Sequence, residues 1–188
     1  MPISKKKTHV IEIHAGQITT TDLTISLPPT LNFEPFGGYS KIAAVERHHN
    51  TGKIGVAVAK GYGIRNGAVA SSVSHDSHNI IVIGDNDADM AIAVNEIIRT
   101  QGGYTVVENG KVYETLALPI MGLMSDVGFE NVNEALQRMI QKAHQMGVAA
   151  QIDPFVTLSF LALPVIPELR ITPRGICKMT AKGPAILS

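Results

Sequence analysis

Two short polar stretches hold most of the residues in this sequence that can do chemistry. One is His75-Asp76-Ser77-His78-Asn79; the other is Glu46-Arg47-His48-His49. Four of the seven histidines fall within residues 48–78. Imidazole and carboxylate suit Zn, Mn, Fe or Ni, so His75, Asp76 and His78 are candidate metal ligands. Their spacing argues for caution. Residues three apart on an extended segment point to opposite faces, so the two rings converge only if the loop turns. No H-x-H or H-E-x-x-H motif occurs. A hydrogen-bonded polar turn is the competing reading. For Glu46-Arg47-His48-His49 the choice lies between strand-end residues in water and a pocket wall shared with the 75–79 loop. Ser71-Ser72 lacks the G-x-S-x-G elbow of a serine hydrolase. Gly61, Gly63 and Gly67 lack the strand–turn–helix setting of a phosphate loop.

Composition narrows the function classes. The chain has 188 residues, of which 45% are apolar, enough for one domain with a sizeable core. Lys+Arg and Asp+Glu both number 16, so no basic surplus points to nucleic acid or an anionic membrane. A single cysteine, Cys177, rules out an internal disulfide framework and suits a reducing cytoplasm. No apolar run approaches the ~20 residues of a spanning helix. The basic start has no apolar stretch after it, so it does not read as a secretion signal.

The elements that must position the polar stretches are legible in part. Residues 9–27 read as two short strands joined at Ala15-Gly16-Gln17. The segment 28–38 is broken by proline and glycine and reads as a linker. These define an N-terminal β-strand extension, 1–38, before an α/β domain, 39–188. In "KIGVAVAKG" one face carries only Gly55, Ala57 and Ala59, which lets another layer approach closely. "NIIVIG" is continuously apolar, as expected of a strand covered on both faces. A helix follows, with N-cap candidates at Asp85, Asn86 and Asp87 and an apolar face of Met90, Val94, Ile97 and Ile98. Asn109-Gly110 between two strand patterns signals a hairpin. A second helix is expected from about Asn131 to Met146. Beyond it, Pro154, Pro164, Pro167 and Pro173 suggest buried irregular segments, and the apolar stretch 155–169 suggests a face for self-association. The fold class is α/β, of the mixed α+β kind: a mixed sheet with at least one hairpin and two main helices.

"AVERHHNTGKIGVAVAKGYGIRNGAVASSVSHDSHNIIVIG" resembles the C-terminal domain of the adenine deaminases of the amidohydrolase superfamily. So do "DADMAIAVNEI", "LPIMGLMSD" and "DPFVTLSFLALPVIPELRIT", in the family's order. The resemblance implies hydrolytic deamination of adenine to hypoxanthine and ammonia, in purine salvage, by water activated on Mn or Fe. It places the metal ligands on a (β/α)₈ barrel that precedes this domain. Such a barrel needs about 250 residues, so no TIM barrel is expected here and the chain alone is expected to be catalytically incomplete. The residues the resemblance carries over are Glu46, Arg47, His48, His49, His75, Asp76, His78 and Asn79, as the face that meets the barrel. The implied partners are adenine, a barrel-bearing partner chain and further copies in a homo-oligomer. Two alternatives stand beside this: a non-catalytic assembly or binding module, and a stand-alone metal-binding protein using His75, Asp76 and His78.

Overall fold

The computed structural model describes residues 7–26, 33 and 37–187. The basic start and most of the 28–38 linker lie outside the described residues. In chain order the elements are β1 (Lys7–Ile13), β2 (Thr20–Ser26), β3 (Tyr39–Val45), β4 (Ile54–Lys60), β5 (Gly67–Ser71), β6 (Ile80–Gly84), α1 (Asp87–Arg99), β7 (Gly103–Glu108), β8 (Lys111–Ala117), α2 (Phe129–Gln145), α3 (Pro154–Phe160), β9 (Leu169–Thr172), β10 (Gly175–Thr180) and β11 (Gly183–Ile186).

Eight strands form one mixed sheet in the order β2-β1-β4-β3-β6-β5-β7-β8, and β11-β10-β9 form a second. Only β1 and β4 run parallel; the other neighbours are antiparallel. No barrel closes among the described residues, and the fold is the mixed α+β sheet that the pattern predicts. The strands from 7–26 belong to the eight-stranded sheet. β5 and β6 are buried along their whole length, because both faces of the sheet are covered. On one face Met90, Ala93 and Ile97 of α1 pack on Ala43, Ala68, Ala70, Ile80 and Val82. On the other, α2, α3 and the small sheet cover Ile42, Ala44, Val69, Ile81 and Ile83.

Several local expectations hold for the stated reason. Asn86 caps α1, its side chain accepting from Asp89 N–H at 2.8 Å. Asn109 and Gly110 both have positive φ, as the tight hairpin turn demands. Gly55 is where the second layer comes close. A Cβ built there would lie 1.9 Å from the Thr172 carbonyl oxygen.

Other expectations need correcting. The buried face of α1 is Met90, Ala93 and Ile97, while Ile98 is 58% exposed. The sheet beneath α1 is lined by alanines, so small Ala93 sits inward and the stripe rotates away from Ile98. The proline-rich tail contains a third helix. Pro154 opens it, where a missing N–H costs nothing, and Asp153 caps it by accepting from Phe155 and Val156 N–H. Phe155, Leu158, Leu161 and Leu169 then point into the core. The apolar content of 155–169 is therefore mostly consumed by folding, with only Val156 and Val165 left as large exposed residues there.

Arg170 of β9 is fully buried. Its guanidinium donates to Thr20 Oγ1 and to the carbonyls of Ile18, Pro167 and Leu169. Burial without a carboxylate at hand lowers its pKa to about 10. This contact fastens the β1–β2 turn to the small sheet.

Candidate functional site

The candidate residues sit on two loops, 46–53 after β3 and 72–79 between β5 and β6. β3 and β6 are hydrogen-bonded neighbours, so both loops leave the same end of the sheet. Direct contacts join them. His48 Nε2 lies 2.6 Å from the Ser77 carbonyl oxygen. Arg47 N–H donates to Asn79 Oδ1 at 3.1 Å, and Asn79 Nδ2 donates to Ser77 Oγ. The two loops thus form one surface.

Arg47 is the hub. Its Nε donates to the His78 carbonyl at 3.0 Å, Nη1 to Gln101 at 3.3 Å and Nη2 to Met121 at 2.7 Å. One planar fork therefore pins three separate segments. Partial burial pushes its pKa down. Gly122 makes room for it: a Cβ there would stand 2.0 Å from Nη1, and φ is +75°. Buried Ser72 completes the arrangement, donating to the Gly122 carbonyl at 2.6 Å and accepting from Gly103 N–H at 2.8 Å. No sequence pattern announces these roles, since the acceptors are carbonyls 31, 54 and 74 residues away.

Glu46 serves its own loop. Oε1 accepts from His48 and His49 N–H at 2.6 and 2.8 Å; Oε2 accepts from Thr51 N–H and Oγ1. The Thr51 backbone N–H, then those of His49 and His48, hold the carboxyl at about 2. Such a group is a committed acceptor and a poor proton acceptor near neutrality. We expect its carboxyl carbon to titrate near 2 in an NMR pH series. Because the folded value is depressed, the carboxylate's contribution to holding the loop is complete above its ordinary value. It is lost as pH falls through about 2. A midpoint near the ordinary 4.5 would show that the loop does not hold it.

The 72–79 loop does turn. His78 has φ of 49°, and its N–H donates to the Ser74 carbonyl at 2.6 Å. The His75 and His78 rings meet edge to face with centroids 6.0 Å apart, and His75 packs on Phe160 at 5.1 Å. Asp76 points to water, its carboxylate 86% exposed and 4.0 Å from His75 Nδ1. Burial, then the charges of His75 and Arg47, lower the His78 pKa, so this imidazole is neutral at pH 7. Its Nδ1 and the Ser74 hydroxyl are buried without a partner. Among the described residues no group of three or more His, Cys, Asp or Glu side chains is arranged to hold a metal ion. The donor set here does not fit a resident Mn or Fe.

A cleft of about 570 Å³ opens beside the first loop, lined by Glu46, Arg47, His48, Asn50 and Gln101 over Ile80, Ile97 and Ile98. That volume suits a small molecule. His49, His75, Asp76, His78 and Asn79 do not line it. The exposure of Ile98, unforeseen from its helical spacing, supplies part of the apolar floor.

Comparison with known proteins bears on what this surface belongs to. A family model described as "Adenine deaminase C-terminal domain" matches residues 17–182. The chain belongs to this family. An adenine deaminase of Desulfitobacterium hafniense is 50% identical over 168 residues, which cover 89% of this chain and 30% of the relative. One from Clostridium acetobutylicum is 53% identical over 140 residues, covering 74% and 25%. One from Bacillus subtilis is 43% identical over 179 residues, covering 94% and 31%. As an adenine deaminase C-terminal domain, the chain thus spans only about a third of the length of the curated relatives it matches.

Proposed function

We propose that this chain works as the C-terminal domain of an adenine deaminase, and that the 46–53 and 72–79 loops are the face it turns toward a catalytic barrel. The observation that carries the reading is Arg47. A single residue, through its backbone N–H and its guanidinium, locks both histidine loops and the 121–122 turn into one surface. The supported reaction is hydrolytic: water adds at C6 of adenine and ammonia leaves, giving hypoxanthine. On this reading Mn or Fe is bound outside the described residues. The chain alone is then catalytically incomplete, and the histidines position rather than generate the nucleophile. No helix among the described residues is long and apolar enough to cross a membrane; a cytoplasmic place in purine salvage, and a homo-oligomer, complete the proposal.

A second reading, a non-catalytic assembly module, draws on Glu46 and Arg47. Glu46 accepts four hydrogen bonds within its own loop and Arg47 donates to three distant carbonyls, so both are committed to holding loops together. One experiment separates the readings. The matched segment of the Desulfitobacterium hafniense relative is replaced by this chain, and adenine turnover is followed by ammonia release. His75→Ala should lower turnover by about tenfold or more, the usual cost of losing a supporting group around a reaction centre, while the protein still folds. Unchanged turnover would favour the assembly reading. The chain alone should release no ammonia from adenine with added Mn; turnover near the enzyme median of about 10 per second would overturn its incompleteness.

A further inference from the structure

We infer that the apolar turn 120–129 is the docking surface for the part of an adenine deaminase that lies outside the matched segment. This rests on the reading above and names the contact it requires. Among the described residues, five large hydrophobics with substantial exposure crowd into these ten positions: Ile120, Met121, Met124, Val127 and Phe129. Met121 is 76% exposed and Phe129 79%. Scattered exposed hydrophobics are ordinary, whereas a contiguous set marks an interface.

What distinguishes this set is how firmly its backbone is held. Arg47 donates to the Met121 carbonyl and buried Ser72 to the Gly122 carbonyl. Ile120 N–H donates to Met124, and Met124 N–H to Ile120. Met121 has a positive φ of 59°, a conformation that costs free energy and persists only when the surroundings impose it. The protein therefore commits a partly desolvated arginine and a buried serine to presenting two methionines to solvent. Flexible thioethers on a rigid base suit a surface that must adapt to a partner. An open groove of about 480 Å³ runs from this turn along the start of α2.

The occupant follows from two facts. The relatives carry about 70% of their length outside the matched segment, since the Desulfitobacterium alignment covers 30% of that protein. And the same guanidinium holds the His78 and Met121 carbonyls, so whatever covers the turn also meets the histidine loops. The turn folds back from β8 under the loop end of the sheet, where Met121 meets Arg47 after β3 and Gly122 meets Ser72 after β5.

The test uses the chimera described above, with the photo-cross-linking residue benzoylphenylalanine placed at Met121, at Phe129, and at Val112 as a control. Cross-links from Met121 and Phe129, absent from Val112, should map to the portion outside this chain. Cross-links only to the same turn of another copy would overturn the proposal in favour of a dimer contact. No cross-link at either position would overturn it by showing a free surface. If the chimera fails to fold, the label is placed in the unmodified relative, between the strand and helix that match β8 and α2, and the same outcomes apply. Turnover of the His75→Ala chimera is a separate readout. Cross-links with unchanged turnover would keep the docking surface and reject the role of the histidines.

Discussion

Arg47→Ala should lower the stability of this protein by about 2 to 3 kcal/mol. The substitution strips a donor from the carbonyls of His78, Gln101 and Met121, each worth about 1 kcal/mol in a partly solvated setting. At this chain length that corresponds to a fall in Tm of about 5–10 °C. Arg47→Lys should recover less than half, because an ammonium cannot reproduce the planar fork. Gly122→Ala offers an independent route to the same defect. The added Cβ would sit 2.0 Å from Nη1, so the guanidinium must leave. The double variant should then cost much less than the two single ones summed, since both remove one set of contacts. Thermal melts of the four proteins complete the cycle, and strict additivity would show that Arg47 does not occupy that space. Amide exchange should speed up in 46–53, 74–79 and 120–124 together; acceleration in only one of them would contradict a shared hub.

The second large effect is at Gly55→Ala. The new methyl would lie 1.9 Å from the Thr172 oxygen and 2.7 Å from the Gly175 nitrogen. Both obstacles are backbone, so no rotamer change relieves them. The β9–β10 turn must lift off β4, which exceeds the ordinary 1–3 kcal/mol of overpacking. We expect a loss of about 3 kcal/mol or more and a Tm lower by roughly 10 °C. Gly110→Ala is the comparison, since nothing lies within 4 Å of its added Cβ and the cost is that of a positive φ alone, about 1 kcal/mol. A Gly55→Ala melt within about 2 °C of the parent would mean that the layers can separate cheaply.

The contrast between Gly55 and Arg47 explains what was legible in advance. Gly55, Ala57 and Ala59 alternate along one strand, so the close second layer could be read from local periodicity, although not which layer it was. The cap at Asn86, the turn at Asn109-Gly110 and the buried strand 80–84 are likewise local. The helix at Pro154–Phe160 was hidden because proline breaks a helix inside yet opens one at its first turn. The adjacency of the histidine loops followed from both leaving strand ends. The division of labour within them did not. Glu46 is consumed by its own loop and Arg47 by distant carbonyls, and backbone acceptors carry no residue type for a sequence to display.

Arg170 has a consequence for how the protein is made. It reaches Thr20 across 150 residues of chain. At a synthesis rate of about 5–20 residues per second, the ribosome builds the β1–β2 hairpin and delivers its anchor roughly 8–30 s later. A lone hairpin is marginal in water. The β1–β2 hairpin is therefore made well before it is secured, and in the interval β1 keeps its unpaired edge until β4 emerges. A nascent chain arrested before residue 170 should leave residues 7–26 open to protease, and one released after β10 should protect them.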